Sequence, residues 1–186
     1  MEPAPSPASL SPGRRILAAW RAARRRWYTR WPIDLAILMF IFWAIGRWQA
    51  RNLLDDETVA PAIALPDLDG RVRTLDEWRG KTVSLQFFAP WCTVCRVEMD
   101  NWARIQSMNS DIQVVAVALA WENKQDVLDF IGDDRGQYPV LLGTDQVQAT
   151  WRVESFPTHY ILDEDGRIAS QTVGYSPTLA MWLRSL

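Results

Sequence analysis

The chain of 186 residues holds two cysteines, Cys92 and Cys95, separated by two residues in Trp91-Cys92-Thr93-Val94-Cys95. A thiolate is the nucleophile that attacks a disulfide, and a second thiol one helical turn away can close a new disulfide and release the mixed one. The pair follows the apolar run Thr82–Phe88 and precedes a helical stretch from Val94 to Met108. In the first turn of a helix a thiol meets unpaired backbone N–H groups and the positive end of the dipole, which favours its anion. Cys92 is therefore the expected attacking thiol and Cys95 the resolving one.

Other uses of two cysteines compete with this reading. Inert packing fits poorly at a strand-to-helix junction. A structural disulfide across two residues removes little entropy from the unfolded chain and is a weak staple. Zinc needs four ligands, beyond two Cys and the single histidine, His159, but two-coordinate Cu(I) on soft thiolates stays open as an alternative function. Glu98 lies three residues past Cys95, a spacing that shares a helix face, so its carboxylate can exchange the Cys95 proton. A solvated Glu paired with an Arg is the competing role. His159 reads as a half-buried strand residue or, less simply, as a base or copper ligand. Trp91, beside Cys92, is expected to pack over the reactive pair, and the remaining Trp of this region (Trp78, Trp102, Trp121, Trp151, Trp182) to pack in the core and on the surface.

Elements that position these residues alternate in type. Thr82–Phe88 and Ile112–Leu119 read as buried strands, Lys124–Ile131 as a helix, Tyr138–Leu142 as a short strand and Asp145–Trp151 as a short helix. Thr158–Asp163 and Arg167–Val173 flank Glu164-Asp165-Gly166, a hairpin signal, and Ser176 with Pro177 opens a last helix. Strands alternating with helices imply an α/β fold, a mixed central sheet with helices on both faces.

The first quarter differs. Residues 1–51 carry nine Arg against Glu2 and Asp34, a balance of +7, and residues 52–186 a balance of −9. Residues 1–13 contain four prolines and read as a disordered tail, and 14–31 as a basic segment. Leu35 to Ile45 is uninterruptedly apolar, and Trp31 to Trp48 as a helix measures about 27 Å, close to a hydrocarbon core. A single uncleaved signal-anchor, a transmembrane helix over 32–50, is expected, because Gly46-Arg47-Trp48-Gln49-Ala50 makes a poor cleavage site. Asp34 then suits the first turn of that helix. Seven Arg precede the run and two follow it, so the N-terminus is expected in the cytoplasm of a bacterial cell and the rest in the periplasm, on the inner membrane. The Arg cluster beside an apolar run speaks for a membrane surface and not for nucleic acid. Residues 51–60 are expected as a polar, acidic linker, and 61–186 as one globular domain.

Phe87-Phe88-Ala89-Pro90-Trp91-Cys92-Thr93-Val94-Cys95-Arg96 resembles the active-site segment of thioredoxin-fold proteins. Cys95-Arg96-Val97-Glu98-Met99 resembles their membrane-anchored TlpA/ResA/CcmG branch, and the tail Thr172-Val-Gly-Tyr-Ser-Pro is similar to the ScsD-type copper-sensitivity suppressors. The likeness runs from about Ala62 to the end. It implies that Pro157, in Phe156-Pro157-Thr158, is a cis proline that shapes a substrate groove with Trp91 and Phe156, and it supports Glu98 as the proton carrier. It implies protein thiol/disulfide substrates, a membrane electron donor or acceptor protein and no bound organic cofactor. The expected function is exchange that reduces disulfides of exported proteins, in cytochrome maturation or copper stress, although reductases and oxidases share the pattern. This chain departs from the family at Gln86, where thioredoxins proper have a buried Asp, and at Thr93-Val94, which lacks the frequent proline. It also departs at Asp100, often a proline, and at Phe156, usually Thr, Val or Ile.

Overall fold

The computed structural model describes residues 31–41, 43–46, 52–108, 110–132 and 136–176. The chain divides into two compact units, 1–45 and 46–186. Residues 31–41 and 43–46 are helical (α1), all but Gly46 of them in the first unit, with Trp31, Leu35, Met39 and Trp43 exposed. No helix among the described residues is long and apolar enough to cross a membrane. The helix expected over 32–50 is thus seen only as α1; residues 42 and 47–50, the 1–13 tail and all of the basic segment before Trp31 lie outside the described residues.

In the second unit β1 (Ala64–Pro66) and β2 (Val72–Thr74) form a small antiparallel hairpin, followed by a 3₁₀ turn at Leu75–Trp78. Then come β3 (Thr82–Phe88), α2 (Thr93–Met108), β4 (Ile112–Ala118), α3 (Lys124–Ile131), β5 (Val140–Leu142), α4 (Asp145–Thr150), β6 (Thr158–Leu162) and β7 (Ile168–Val173). The expected elements from Thr82 onward are present with ends shifted by one or two residues. The last helix, from Pro177, lies outside the described residues. The two three-residue strands before Thr82 were not expected, since three residues carry too little alternation to register as a period.

The main sheet has the order β5-β4-β3-β6-β7, with β3, β4 and β5 parallel and β6 and β7 antiparallel. Strand β3 sits at the centre and is buried on both faces. Val83, Leu85 and Phe87 point into one core layer with Val115, Val117, Trp151 and Tyr160. Phe88 joins the other layer with Val114, Ala116, Trp102 and Phe130. Trp102 and Trp151 are fully buried and Trp78 nearly so, in line with their expected packing roles.

The described part of the stretch expected as a polar, acidic linker makes contacts within this unit. Leu53 is buried in the core layer of Leu85 and Trp151. The Glu57 and Ala60 amides donate to Ile168 and Gly166 carbonyls, and the Ile168 amide donates to Thr58. Its backbone pairs with Gly166, Arg167 and Ile168 at the start of β7, and Leu53 supplies the apolar anchor.

Tyr160 ties the same region together. Its hydroxyl donates to the Trp151 carbonyl at 2.7 Å and accepts from the Leu54 amide at 3.3 Å, while burial pushes its phenol up to about 12. Tyr160→Phe strands a buried carbonyl and an amide, so it is expected to cost about 1–3 kcal/mol. Urea unfolding checks this: the midpoint falls with an unchanged slope, whereas an unchanged midpoint removes the tie.

Candidate functional site

Strand β3 ends at Phe88, where the Leu119 amide donates to the Phe88 carbonyl at 2.8 Å and holds the strand end against the exit of β4. The chain then turns through Ala89 and Pro90; the Cys92 amide donates to the Ala89 carbonyl at 3.0 Å. Helix α2 starts at Thr93, and the Arg96 amide donates back to the Cys92 carbonyl at 3.2 Å. Cys92 is therefore the residue that caps the helix. Its Sγ accepts from the Cys95 amide at 3.1 Å, the position where a capping Ser or Asp oxygen ordinarily sits.

Cys92 and Cys95 form a disulfide, with Cα atoms 5.3 Å apart. Cys95 is fully buried, and Cys92 is 7% exposed. When the pair is reduced, the Sγ that caps the helix is the one whose negative charge the N–H group and the dipole stabilise.

One turn beyond Cys95, Glu98 is wholly buried. That excludes the solvated, Arg-paired role. Its Oε1 accepts from the Ser176 amide at 2.6 Å, and its Oε2 lies 3.4 Å from His159 Nε2. Burial pushes the Glu98 carboxyl up to about 8, with the Ser176 amide pulling the other way. The C-terminal segment reaches this point through Gly174, whose φ of +88° only glycine adopts freely; its amide donates to the Pro157 carbonyl at 2.8 Å.

His159 stands opposite Gln86 in the register of β6 and β3. Its Nδ1 faces Gln86 Oε1, its Nε2 lies 3.1 Å from the Gly174 carbonyl, and Gln86 in turn donates to Ser84 Oγ at 2.5 Å. The ring is thus engaged beside Glu98, and among the described residues no group of three or more His, Cys, Asp or Glu is placed to hold a metal ion. His159 is a buried residue of β6, close to the strand reading of the sequence; strand alternation sets it and Gln86 on one face.

The remaining residues of the expected site gather at the mouth. The Phe156–Pro157 peptide is cis, as the resemblance implied, and Pro157 is buried. The Phe156 ring meets the Trp91 ring edge-on at 5.6 Å. Trp91 donates its indole N–H to the Ala120 carbonyl at 3.1 Å, yet it is 68% exposed. Val94 and Val97, on the outer face of α2, are exposed too. The dipeptide between the cysteines contributes no charge.

Glu98 sets a pH dependence of stability. Its folded value is raised, so between about 4.5 and about 8 the folded state binds a proton that the unfolded state has released. The contribution is fully present below the unfolded value and is lost as pH rises through the folded one. Wild-type stability is expected to fall by a few kcal/mol across that window, and Glu98→Gln to remove the fall. Urea midpoints from pH 5 to pH 8 test it, and parallel curves for the two proteins would contradict it.

Comparison with known proteins agrees with this geometry. The Redoxin family pattern matches residues 55–181. Thioredoxin-like protein YneN of Bacillus subtilis (strain 168) is 36% identical over 118 residues, 62% of this chain and 69% of that protein. The thiol-disulfide oxidoreductase ResA of the same strain is 26% identical over 156 residues, 81% of this chain and 87% of the relative. Among solved structures, a protein described as thiol:disulfide interchange protein DsbE from Chlorobium tepidum superposes with a TM-score of 0.65 at 29% identity, over 70% of this chain and 95% of the other. Sequence pattern, relatives and fold converge: the chain belongs to the Redoxin family, as a thiol–disulfide oxidoreductase with a thioredoxin-like fold.

Proposed function

We propose that this protein reduces disulfides of exported proteins, with Cys92 as the attacking thiol, Cys95 as the resolving thiol and Glu98 as the proton carrier. The observation that carries the reading is the capping bond from the Cys95 amide to Cys92 Sγ, beside a Cys95 that has no exposed surface. The Cys92 thiolate attacks one sulfur of a substrate disulfide, the substrate S–S bond breaks, and the other substrate sulfur leaves as a thiolate. Cys95 gives its proton to Glu98 and attacks Cys92 Sγ; the internal disulfide forms and the second substrate thiolate departs. Two electrons have then passed from the pair to the substrate, and a donor protein must return them by the same chemistry run backwards. Trp91, Phe156 and Pro157 form the surface on which an extended substrate segment lies. That surface includes the exposed Trp91 ring set against Phe156.

In this reading residues 32–50 anchor the protein in a bacterial inner membrane, with the N-terminus in the cytoplasm and the catalytic domain in the periplasm. The seven Arg before the apolar run and the two after it support that orientation. The electron donor is then a membrane protein, and the substrates are exported thiol proteins such as apocytochromes or proteins of copper stress.

Cys92→Ser is expected to abolish reduction of a protein disulfide, and Cys95→Ser to accumulate a substrate-linked mixed disulfide visible on a non-reducing gel. Full activity of Cys92→Ser would remove the nucleophile. Acid-quenched alkylation in intact cells tests direction and side together. A reduced pair reached by a membrane-impermeant reagent supports a periplasmic reductase. An oxidised pair argues for an oxidant, and a pair labelled only after permeabilisation argues against the topology.

A further inference from the structure

Residues 151–157 connect α4 to β6 and carry Phe156 and the cis Pro157 of the proposed substrate surface. The stretch has no helix or strand of its own, so individual bonds decide its shape. Some of these bonds are local. The Val153 amide donates to the Gln148 carbonyl at 3.0 Å, and the Gln148 side chain donates to the Val153 carbonyl at 3.1 Å. Thr158 Oγ1 donates to the Ser155 carbonyl at 2.7 Å. Arg152 takes a φ of +52°, a conformation that residues with a side chain rarely adopt, while its amide donates to the Ala149 carbonyl at 3.1 Å.

Further contacts come from far earlier in the chain, from residues 52–54. Leu53 is buried in one apolar layer with Trp151, Val153 and Tyr160, and both Leu54 and Phe156 pack against that layer. The Leu54 amide donates to the Tyr160 hydroxyl at 3.3 Å, and the same hydroxyl donates to the Trp151 carbonyl at 2.7 Å. Asn52 Nδ2 donates to the Glu154 carboxylate at 3.3 Å. The loop is thus engaged at Trp151, Val153 and Glu154, and Glu154 stands two residues before Phe156. The Asn52 bond is exposed and weak by itself, so the buried Leu53 supplies most of the hold. The cap at Cys92 is built from other residues, through the bonds of Ala89, Cys95 and Arg96.

We infer that residues 52–54 are a positioning brace for the substrate loop: they hold residues 151–157 so that Phe156 stands against Trp91 before a protein substrate arrives. The inference rests on the proposed substrate surface of Trp91, Phe156 and Pro157. A loop ordered in advance spares the complex the entropy of ordering it on binding. The brace therefore acts on how well a protein disulfide docks and leaves the sulfur chemistry to Cys92 and Cys95. A disulfide too small to reach Phe156 makes no use of it.

Two disulfides of different size separate docking from chemistry. The reduced full chain is mixed with excess insulin, as a protein disulfide, or with hydroxyethyl disulfide, and timed acid quench with alkylation follows oxidation of its pair. Leu53→Ala is expected to slow oxidation by insulin about three- to tenfold, because Phe156 must then be ordered on binding. Its rate with hydroxyethyl disulfide should stay at the wild-type value. Leu53→Met, which refills the layer, should recover most of the insulin rate. Asn52→Ala lies outside the core and serves if Leu53→Ala does not fold; it should slow insulin alone by about twofold. An insulin rate that neither variant changes, or an equal loss with both disulfides, overturns the inference. Hydrogen exchange reads the loop without substrate. In Leu53→Ala the Arg152 and Val153 amides should exchange faster and the Arg96 amide at the wild-type rate; an unchanged loop overturns the inference. Phe156→Ala tests the underlying reading. An unchanged insulin rate there overturns the substrate surface and the brace with it, whereas a slowed Phe156→Ala beside an indifferent Leu53→Ala overturns the brace alone.

Discussion

The reactive pair depends on one hydrogen bond, from the Cys95 amide to Cys92 Sγ. A helix that begins directly behind a buried strand leaves backbone N–H groups with no intrahelical acceptor, and something must meet them. Here the acceptor is sulfur. The same contact that finishes the helix also lowers the energy of the thiolate, so folding and reactivity draw on a single interaction. The strand end fixes its position. Phe88 is held by the Leu119 amide, and Ala89 accepts from the Cys92 amide. Moving Cys92 by one place in either direction would take the sulfur off the helix axis and out of reach of the amide.

The second constraint is a polar stripe through an apolar layer. Ser84 and Gln86 on β3 and His159 on β6 face α2, where their neighbours are Phe88, Trp102 and Phe130. Burying such groups costs free energy unless each finds a partner. A slip of β6 by one residue against β3 would send His159 into the layer of Leu85, Phe87 and Trp151, away from Gln86. The polar stripe therefore fixes the strand register as well as serving the acid beside it. Gly174 completes the arrangement. Its positive φ turns the chain so that one residue presents a carbonyl to His159 and Ser176, two places on, presents an amide to Glu98.

Much of this was legible in the sequence because it is periodic or local. Apolar runs gave the strands from Thr82 onward, Glu164-Asp165-Gly166 gave the hairpin, and the spacing of Cys92, Cys95 and Glu98 gave one face of one helix. The cis bond at Pro157 came only through resemblance, since an isolated proline before a strand has a commoner role. What escaped was non-local or short. Strands β1 and β2 have three residues each. Residues 53–60 look like a linker by composition, yet their backbone pairs with β7. The Glu98–His159 contact joins a helix to a strand two elements past its own layer neighbours, and neither residue's local pattern announces the other. Position next to Cys92 does not say which partner the Trp91 ring takes; its N–H donates to the Ala120 carbonyl.

The difference in exposure between the cysteines explains why a buried acid is present at all. Cys92 is 7% exposed and Cys95 not at all, so a substrate sulfur reaches Cys92 first and Cys95 acts only from within. Water serves the proton of an exposed thiol, but it has no approach to Cys95 comparable to its approach to Cys92. A thiol that must ionise in a dry layer needs an internal acceptor whose own charge is tolerated there. Gln86 cannot be that acceptor, since an amide does not take up a proton under these conditions. Glu98 is the carboxyl in that layer; burial raises it to about 8, and the Ser176 amide on Oε1 opposes that shift only in part. Removing the acid from the position that thioredoxins proper use and placing it on α2 beside the resolving cysteine puts proton transfer and disulfide closure on the same helix face.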